Sequence, residues 1–208
     1  MKTVILSLLF IVIFISCSTE RLVTKYYLIE PSSVLNDSIS EKVTKNNLQK
    51  NFSSEIRKFT VSKPYDQDRI VLRTKSNEIN YYYYHKWAEA PSTSITFFVR
   101  DKIKEVNLFG AFDFLLYDVP VSFVVMGTVN QIERVDLNDN SSAHLKMKLE
   151  LVEKETGKAL VEHAFDTYSP INQNTSMNLF AQEINKILND ETDVFIEKIS
   201  SYINRSNE

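Results

Sequence analysis

Three histidines and one cysteine are the side chains of this 208-residue chain best suited to nucleophilic or acid–base catalysis. A serine or cysteine nucleophile needs a histidine beside it. Alternation puts His144 on the polar side of a predicted strand and His163 on its predicted partner, so we expect both to be solvated. His85 stands near Trp87 at a strand end, where a lone histidine is usually structural. No Gly-x-Ser-x-Gly motif occurs. The residues therefore predict no catalytic site.

A second candidate for chemistry is the spacing Asp136-x-Asn138-x-Asn140, which opens like a calcium-binding loop. Such a loop needs Gly at its sixth position for the sharp turn and Glu at its twelfth as a bidentate ligand. Here these positions hold Ser141 and Met147. The segment is more typical of a polar hairpin turn, and we expect neither a metal nor a cofactor.

The only cysteine, Cys17, follows a short apolar run over residues 4–15. A membrane-spanning helix needs about 20 apolar residues, so the run is typical of a cleaved export signal. Phe14, Ile15 and Ser16 before the cysteine resemble a bacterial lipobox, which implies a lipoprotein signal peptide over residues 1–16 and acylation of Cys17, for example by palmitate. Ser18 resembles an outer-membrane address. The alternative is an ordinary signal peptide that ends near a free thiol.

Composition excludes several other classes of function. The formal net charge is −3, which argues against a generally basic nucleic-acid binder. One cysteine permits no internal disulfide, and three glycines leave little room for a Gly-rich phosphate loop. The length suits one domain, which we expect over residues 26–205 behind a lipidated tether at residues 17–25. No segment after the signal reaches 18 apolar residues.

The Tyr-rich segment is the clearest candidate for a contact surface. Residues 69–74 and 78–85 predict a hairpin with a turn between them. Tyr81 and Tyr83 share one face of its second strand, which runs on to Trp87. Tyr and Trp bury large areas at little entropic cost, so these three residues are candidate partner contacts. The alternative, which we favour, is that they belong to the core.

The remaining elements follow from periodicity. Residues 26–30 and 59–61 are typical of short strands, and residues 119–135 of a longer one. Alternation over residues 145–151 and 159–168 predicts a hairpin. One helix begins at Pro91 and ends near Gly110, and a second, capped by Thr175 or Ser176, carries a long apolar stripe. The stripe consists of Phe180, Ile184, Ile187, Leu188, Phe195, Ile199 and Ile203. These elements predict one α/β domain with a mixed, largely antiparallel sheet and two main helices.

In this order the motifs resemble the ABC-type transport auxiliary lipoproteins, the family that includes the paraquat-inducible auxiliary lipoprotein. The matching pieces are the lipobox cysteine, Tyr26-Tyr-Leu-Ile-Glu-Pro31, Asp68-Arg-Ile-Val-Leu-Arg73, and the Tyr-rich strand that runs into His85-Lys-Trp-Ala-Glu-Ala-Pro91. The resemblance implies a fold like the amino-terminal domain of TolB.

The resemblance also implies a role without catalysis. The protein would be anchored to the bacterial outer membrane on its periplasmic face through acylated Cys17. There it would dock a mammalian-cell-entry-type protein of a lipid-transporting ABC system, assembled as a homo-oligomeric ring as in at least some members of the family, and bind no nucleic acid. Two alternatives stay open: an outer-membrane assembly or structural lipoprotein, and a surface lipoprotein that binds a ligand.

Overall fold

The computed structural model describes residues 22–31, 52–113, 118, 120–137, 140–172 and 176–205. The predicted signal peptide and Cys17 lie outside these residues, as do residues 32–51.

Within the described residues, nine strands form one mixed sheet and two helices pack on it. The strands are β1 (Lys25–Tyr27), β2 (Ser53–Ile56), β3 (Thr60–Val61), β4 (Arg69–Lys75), β5 (Glu78–Trp87), β6 (Ala111–Asp113), β7 (Phe123–Leu137), β8 (Asn140–Glu153) and β9 (Ala159–Ile171). The helices are α1 (Pro91–Glu105) and α2 (Met177–Arg205). The predicted α/β class with a mixed sheet and two main helices is confirmed.

The long strand β7 organises the sheet. One edge pairs antiparallel with β8, which pairs antiparallel with β9. The other edge pairs in parallel with β2, then β3, then β4 along its length. Beyond β2 lies β6, while β4 continues through antiparallel β5 to parallel β1 at the edge. Strand β7 therefore connects the antiparallel part of the sheet, β8 and β9, to the part that the other six strands form.

Alternation in β8 separates the two faces of the sheet. Leu145, Met147, Leu149 and Leu151 are at most 1% exposed on the face that the helices cover. The opposite face carries the polar side chains of the same strand. At Gly127 of β7 an added Cβ would lie 2.6 Å from Cδ2 of Phe59, so close packing leaves no room for a larger residue there.

The helices close the core over this face. Every residue of the predicted stripe on α2 is buried. The Ser176 hydroxyl accepts a hydrogen bond from the Leu179 N–H (3.3 Å), which satisfies one of the first N–H groups of α2. Lys102 of α1 forms a buried ion pair with Asp193 of α2, with Nζ 2.6 Å from Oδ1. The two helices are thus joined by charge as well as by apolar contact.

One strand was not predicted, and two local predictions need correction. Strand β2 has the polar sequence Ser53-Ser-Glu-Ile56, which gives no strand pattern, yet all four residues are buried. Helix α1 ends at Glu105 rather than near Gly110, because Asn107 has a positive φ of 50° that breaks the helical path. Most of the turn predicted over residues 136–142 is strand, since β7 and β8 extend into it.

Candidate functional site

The three predicted contact residues of β5 do not share one surface. Trp87 is 2% exposed and packs on Phe180 of α2, with ring centroids 5.9 Å apart. Its backbone N–H donates to the Asp68 carbonyl at 2.6 Å. Trp87 therefore belongs to the core, where it connects the end of β5 to the second helix.

Tyr81 and Tyr83, in contrast, reach solvent. Tyr83 is 76% exposed and its ring meets that of Tyr84 edge-on, with centroids 4.8 Å apart. Tyr81 is 36% exposed, and the Arg69 guanidinium carbon lies 4.6 Å from its ring centroid. Tyr81 and Tyr83 with Arg69 beside them offer tyrosine and arginine, the residue types that are enriched at the centres of protein interfaces.

A groove of about 1080 Å³ lies between β1 and the first turns of α2. Residues 25–28 form one wall, and Asn178 and Asn185 belong to the helical wall. The Asn185 side-chain amide donates across the groove to the Leu28 carbonyl at 3.3 Å. Arg134, also among the lining residues, donates to the Asp136 carboxylate at 3.0 Å. The groove is thus polar on both walls.

His85 lines the same groove and is hydrogen bonded to β1. The Tyr27 hydroxyl and His85 Nδ1 are hydrogen bonded at 2.8 Å. Burial, together with the nearby Lys25 ammonium, lowers the pKa of His85 below its ordinary value. A neutral imidazole held by a tyrosine fastens β1 to β5, which agrees with the structural role expected for this histidine.

The prediction that His144 is solvated is wrong. It is 1% exposed on the face of the sheet opposite the two described helices, where it stacks on Tyr168 with ring centroids 3.9 Å apart. Nδ1 lies 3.2 Å from Glu133 Oε1, and Nε2 lies 2.8 Å from Asp166 Oδ1. Alternation identified the correct face of β8 but could not show that side chains of neighbouring strands cover it.

Glu133 is the centre of this buried network. Arg73 holds its carboxylate with two hydrogen bonds, of 2.8 and 3.0 Å, and the Tyr65 hydroxyl donates to it at 3.0 Å. Burial alone would raise the pKa of Glu133, but the hydrogen bonds from His144 and Arg73 outweigh it and lower the pKa below its ordinary value. The network ties β4, β7, β8 and β9 together from the side opposite the helices.

His163 is also buried, at 7% exposure, so the second prediction of a solvated histidine is wrong as well. It faces α2, where its Nε2 lies 2.8 Å from Glu191 and the Lys198 ammonium lies 3.0 Å from its Nδ1. Because a lysine can only donate, the proton of a neutral ring is on Nε2 and points to the carboxylate. The triad clamps α2 onto β9.

The three histidines have structural roles. The hydrogen bonds of the three histidines go to carboxylates, a lysine and a tyrosine, each of which joins two elements of the fold. Among the described residues no group of three or more acidic, histidine or cysteine side chains is placed to hold a metal ion. Asn138 of the calcium-like spacing lies outside those residues. No helix in the described part of the chain is long and apolar enough to cross a membrane.

The fold recurs in solved structures of low sequence identity. The crystal structure of protein XCC0632 from Xanthomonas campestris is 13% identical, has a TM-score of 0.65, and covers 75% of this chain and 88% of its own. A second crystal structure, of an uncharacterized protein, is 9% identical, with a TM-score of 0.63 and coverage of 85% and 99%. At these identities the likeness shows the fold alone. A search of curated proteins finds no match.

Together the fold and the buried clamps define an α/β scaffold with exposed aromatic side chains. The family of ABC-type transport auxiliary lipoprotein components matches residues 34–192, more than half of the chain, and the chain belongs to it. Membership associates the protein with an ABC transporter and indicates a membrane-anchored periplasmic location. The comparisons indicate no catalytic family.

Proposed function

We propose that the protein is a non-catalytic lipoprotein that docks the periplasmic end of a lipid-transporting ABC system. Its partner is a mammalian-cell-entry-type protein, and its anchor is the outer membrane through acylated Cys17. The observation that carries this proposal is the family match over residues 34–192. Three glycines leave little room for a phosphate loop, so the energy for transport comes from an ATPase in another chain.

The position of Cys17 supports the anchor. It is the only cysteine in the chain, and it follows an apolar run too short to span a bilayer. Seven residues separate it from Lys25, where β1 begins. Acyl chains contribute about 0.8 kcal/mol per buried methylene, so two or more chains hold a protein firmly on a membrane.

Tyr81 and Tyr83 support a protein partner. Both side chains reach solvent, and the Arg69 guanidinium carbon lies 4.6 Å from the ring centroid of Tyr81. Trp87 supports the two tyrosines without contacting the partner, because its packing on Phe180 fixes the end of the strand that carries them. The three residues therefore act as two contacts and one support, and the docking surface is defined here as Tyr81 and Tyr83.

The test is affinity purification of the protein from detergent-solubilised membranes, followed by mass spectrometry of its partners. We expect a mammalian-cell-entry-type protein together with a permease or ATPase. Tyr83→Ala should reduce their recovery, whereas Val194→Ala, which removes an apolar side chain that is 40% exposed on α2, should not. Recovery of a barrel protein alone would favour an assembly role, and recovery of nothing would favour a surface ligand-binding role.

The anchor and the ring are tested separately. Cys17→Ala should move the protein out of the outer-membrane fraction, and unchanged fractionation would refute the tether. Native mass spectrometry of the detergent-extracted protein should show a single closed homo-oligomer, and a monomer alone would refute the ring that the family resemblance implies.

A further inference from the structure

The first described residues, 22–28, carry an unusual concentration of exposed apolar surface. In the described part of the chain, ten large hydrophobic side chains are exposed, and four of them fall within these seven residues. They are Leu22, Val23, Tyr26 and Leu28, with exposures of 67%, 66%, 63% and 55%. Single exposed apolar residues are normal on soluble proteins, but four in one short segment call for a physical reason.

Packing of the core does not explain these four side chains. From Tyr26 to Ile29 burial alternates, so that Tyr27 and Ile29 face the core while Tyr26 and Leu28 face outward. The inward residues already join this segment to the sheet, and Tyr27 adds its hydrogen bond to His85. Tyr26 and Leu28 line the open groove beside α2 but stay mostly exposed there, so all four outward residues could be polar without loss of a core contact. A contact outside the domain would explain their apolar character.

The tether indicates what covers them. Only five residues lead from Cys17 to Leu22. A fully extended chain spans at most about 3.6 Å per residue, so Leu22 lies within about 18 Å of the acylated cysteine. That cysteine sits at the level of the lipid headgroups when its acyl chains are in the bilayer. The tether therefore keeps Leu22 within reach of the membrane surface, and the other three apolar residues follow it within six positions.

We propose that Leu22, Val23, Tyr26 and Leu28 form a second membrane contact, which inserts into the headgroup layer beside the acyl chains and fixes the orientation of the domain. This inference rests on the proposed anchor at Cys17. Tyrosine suits such a position because its ring is apolar and its hydroxyl remains hydrated. Lys25, exposed between these residues, can extend its ammonium to lipid phosphates while its stem stays in the apolar layer.

A fixed orientation has a consequence for docking. Strand β1 runs parallel to β5, and its first residue, Lys25, pairs with His85. The residues before Lys25 therefore approach the sheet near the level of Tyr83 along β5. Insertion of residues 22–28 would set the height and angle of the docking surface above the membrane. A domain held by a flexible tether alone would present that surface in many orientations.

Depth-dependent fluorescence quenching tests the contact. The mature protein is attached to vesicles of phosphatidylethanolamine and phosphatidylglycerol through Cys17, and mass spectrometry first establishes whether its own acyl chains are present. A free thiol at Cys17 would refute the proposed anchor, and the protein would then be coupled to a maleimide lipid at the same atom. The membrane contact is thus measured in both cases.

Leu28→Trp and Val194→Trp serve as matched probes, because both replace exposed apolar residues on regular elements or next to them. Lipids brominated in the acyl chains should quench the tryptophan at position 28 at least about twofold more than the one at position 194. The protein without an added tryptophan gives the background quenching, because its only tryptophan is Trp87, which is 2% exposed. Equal quenching at positions 28 and 194 would overturn the proposal.

A second variant separates insertion from simple proximity. Leu22→Ser, Val23→Ser and Tyr26→Ser are added together to the Leu28→Trp protein, which stays attached through Cys17. We expect the excess quenching at position 28 to be lost, with an unchanged far-UV circular dichroism spectrum. If the quenching persists, the tether alone brings position 28 to the membrane, and the apolar contact is refuted.

Discussion

Trp87 and Tyr83 lie four residues apart on one strand, and the structure predicts opposite consequences for their removal. Trp87→Ala removes a side chain that is 2% exposed and packed against Phe180. Truncation of a buried tryptophan costs about 3–5 kcal/mol of the free energy of unfolding. For a domain of this size that corresponds to a melting temperature lower by roughly 6–20 °C. Tyr83→Ala removes a side chain that is 76% exposed, and should change stability by no more than about 0.5 kcal/mol.

The assay for this pair combines unfolding with partner recovery. Urea titration followed by far-UV circular dichroism gives the stabilities, since Trp87→Ala eliminates the only tryptophan and with it the tryptophan fluorescence signal. Tyr83→Ala should unfold like the wild-type protein and recover less transporter in the affinity purification. A Trp87→Ala protein of wild-type stability would refute its place in the core. A Tyr83→Ala protein with full partner recovery would refute its place in the docking surface.

Three further predictions concern groups inside the fold. The pKa of Glu133 is lowered, so its contribution to the free energy of unfolding is complete above its ordinary pKa and disappears as the pH falls through the lowered value. Glu133→Gln should therefore lose less stability than the wild-type protein as the pH falls, which urea titrations at several pH values would measure. Lys102→Met leaves the Asp193 carboxylate buried without its ammonium partner and should cost about 3 kcal/mol by urea unfolding, a loss that Asp193→Leu should partly restore. Gly127→Ala brings its Cβ within 2.6 Å of Phe59 and should cost about 1–3 kcal/mol, which calorimetry would detect; Phe59→Leu should relieve it.

Apolar periodicity predicted most of the fold. The alternation over residues 145–151 and the stripe of α2 are long and regular, and each buries one face on a single core. Strand β2 could not be predicted this way, because Ser53, Ser54 and Glu55 are polar residues that tertiary contacts bury. Glu55 is 5% exposed and is compensated by the Lys154 ammonium at 3.0 Å, a pairing across 99 positions that no local pattern shows.

The candidate site was harder to predict for the same reason. Alternation correctly separated the two faces of β8, but burial of His144 depends on Tyr168, Arg73 and Glu133 from three other strands. Opposite charges on one polar face are a signal for such a network once the strand register is known. Residue type suggested that Trp87 and Tyr83 share a role, whereas bulges in the pairing of β4 and β5 place one inside and the other outside.

Photo-crosslinking in living cells tests the central claim, that this domain docks a lipid-transport system, most directly. A benzophenone amino acid replaces Tyr83, and the matched control replaces Phe97, which is 37% exposed on α1. We predict a crosslink from position 83 to the mammalian-cell-entry-type protein of an ABC transporter, and none from position 97. Crosslinks from position 83 only to a barrel protein, or equal crosslinking from both positions, would contradict the account.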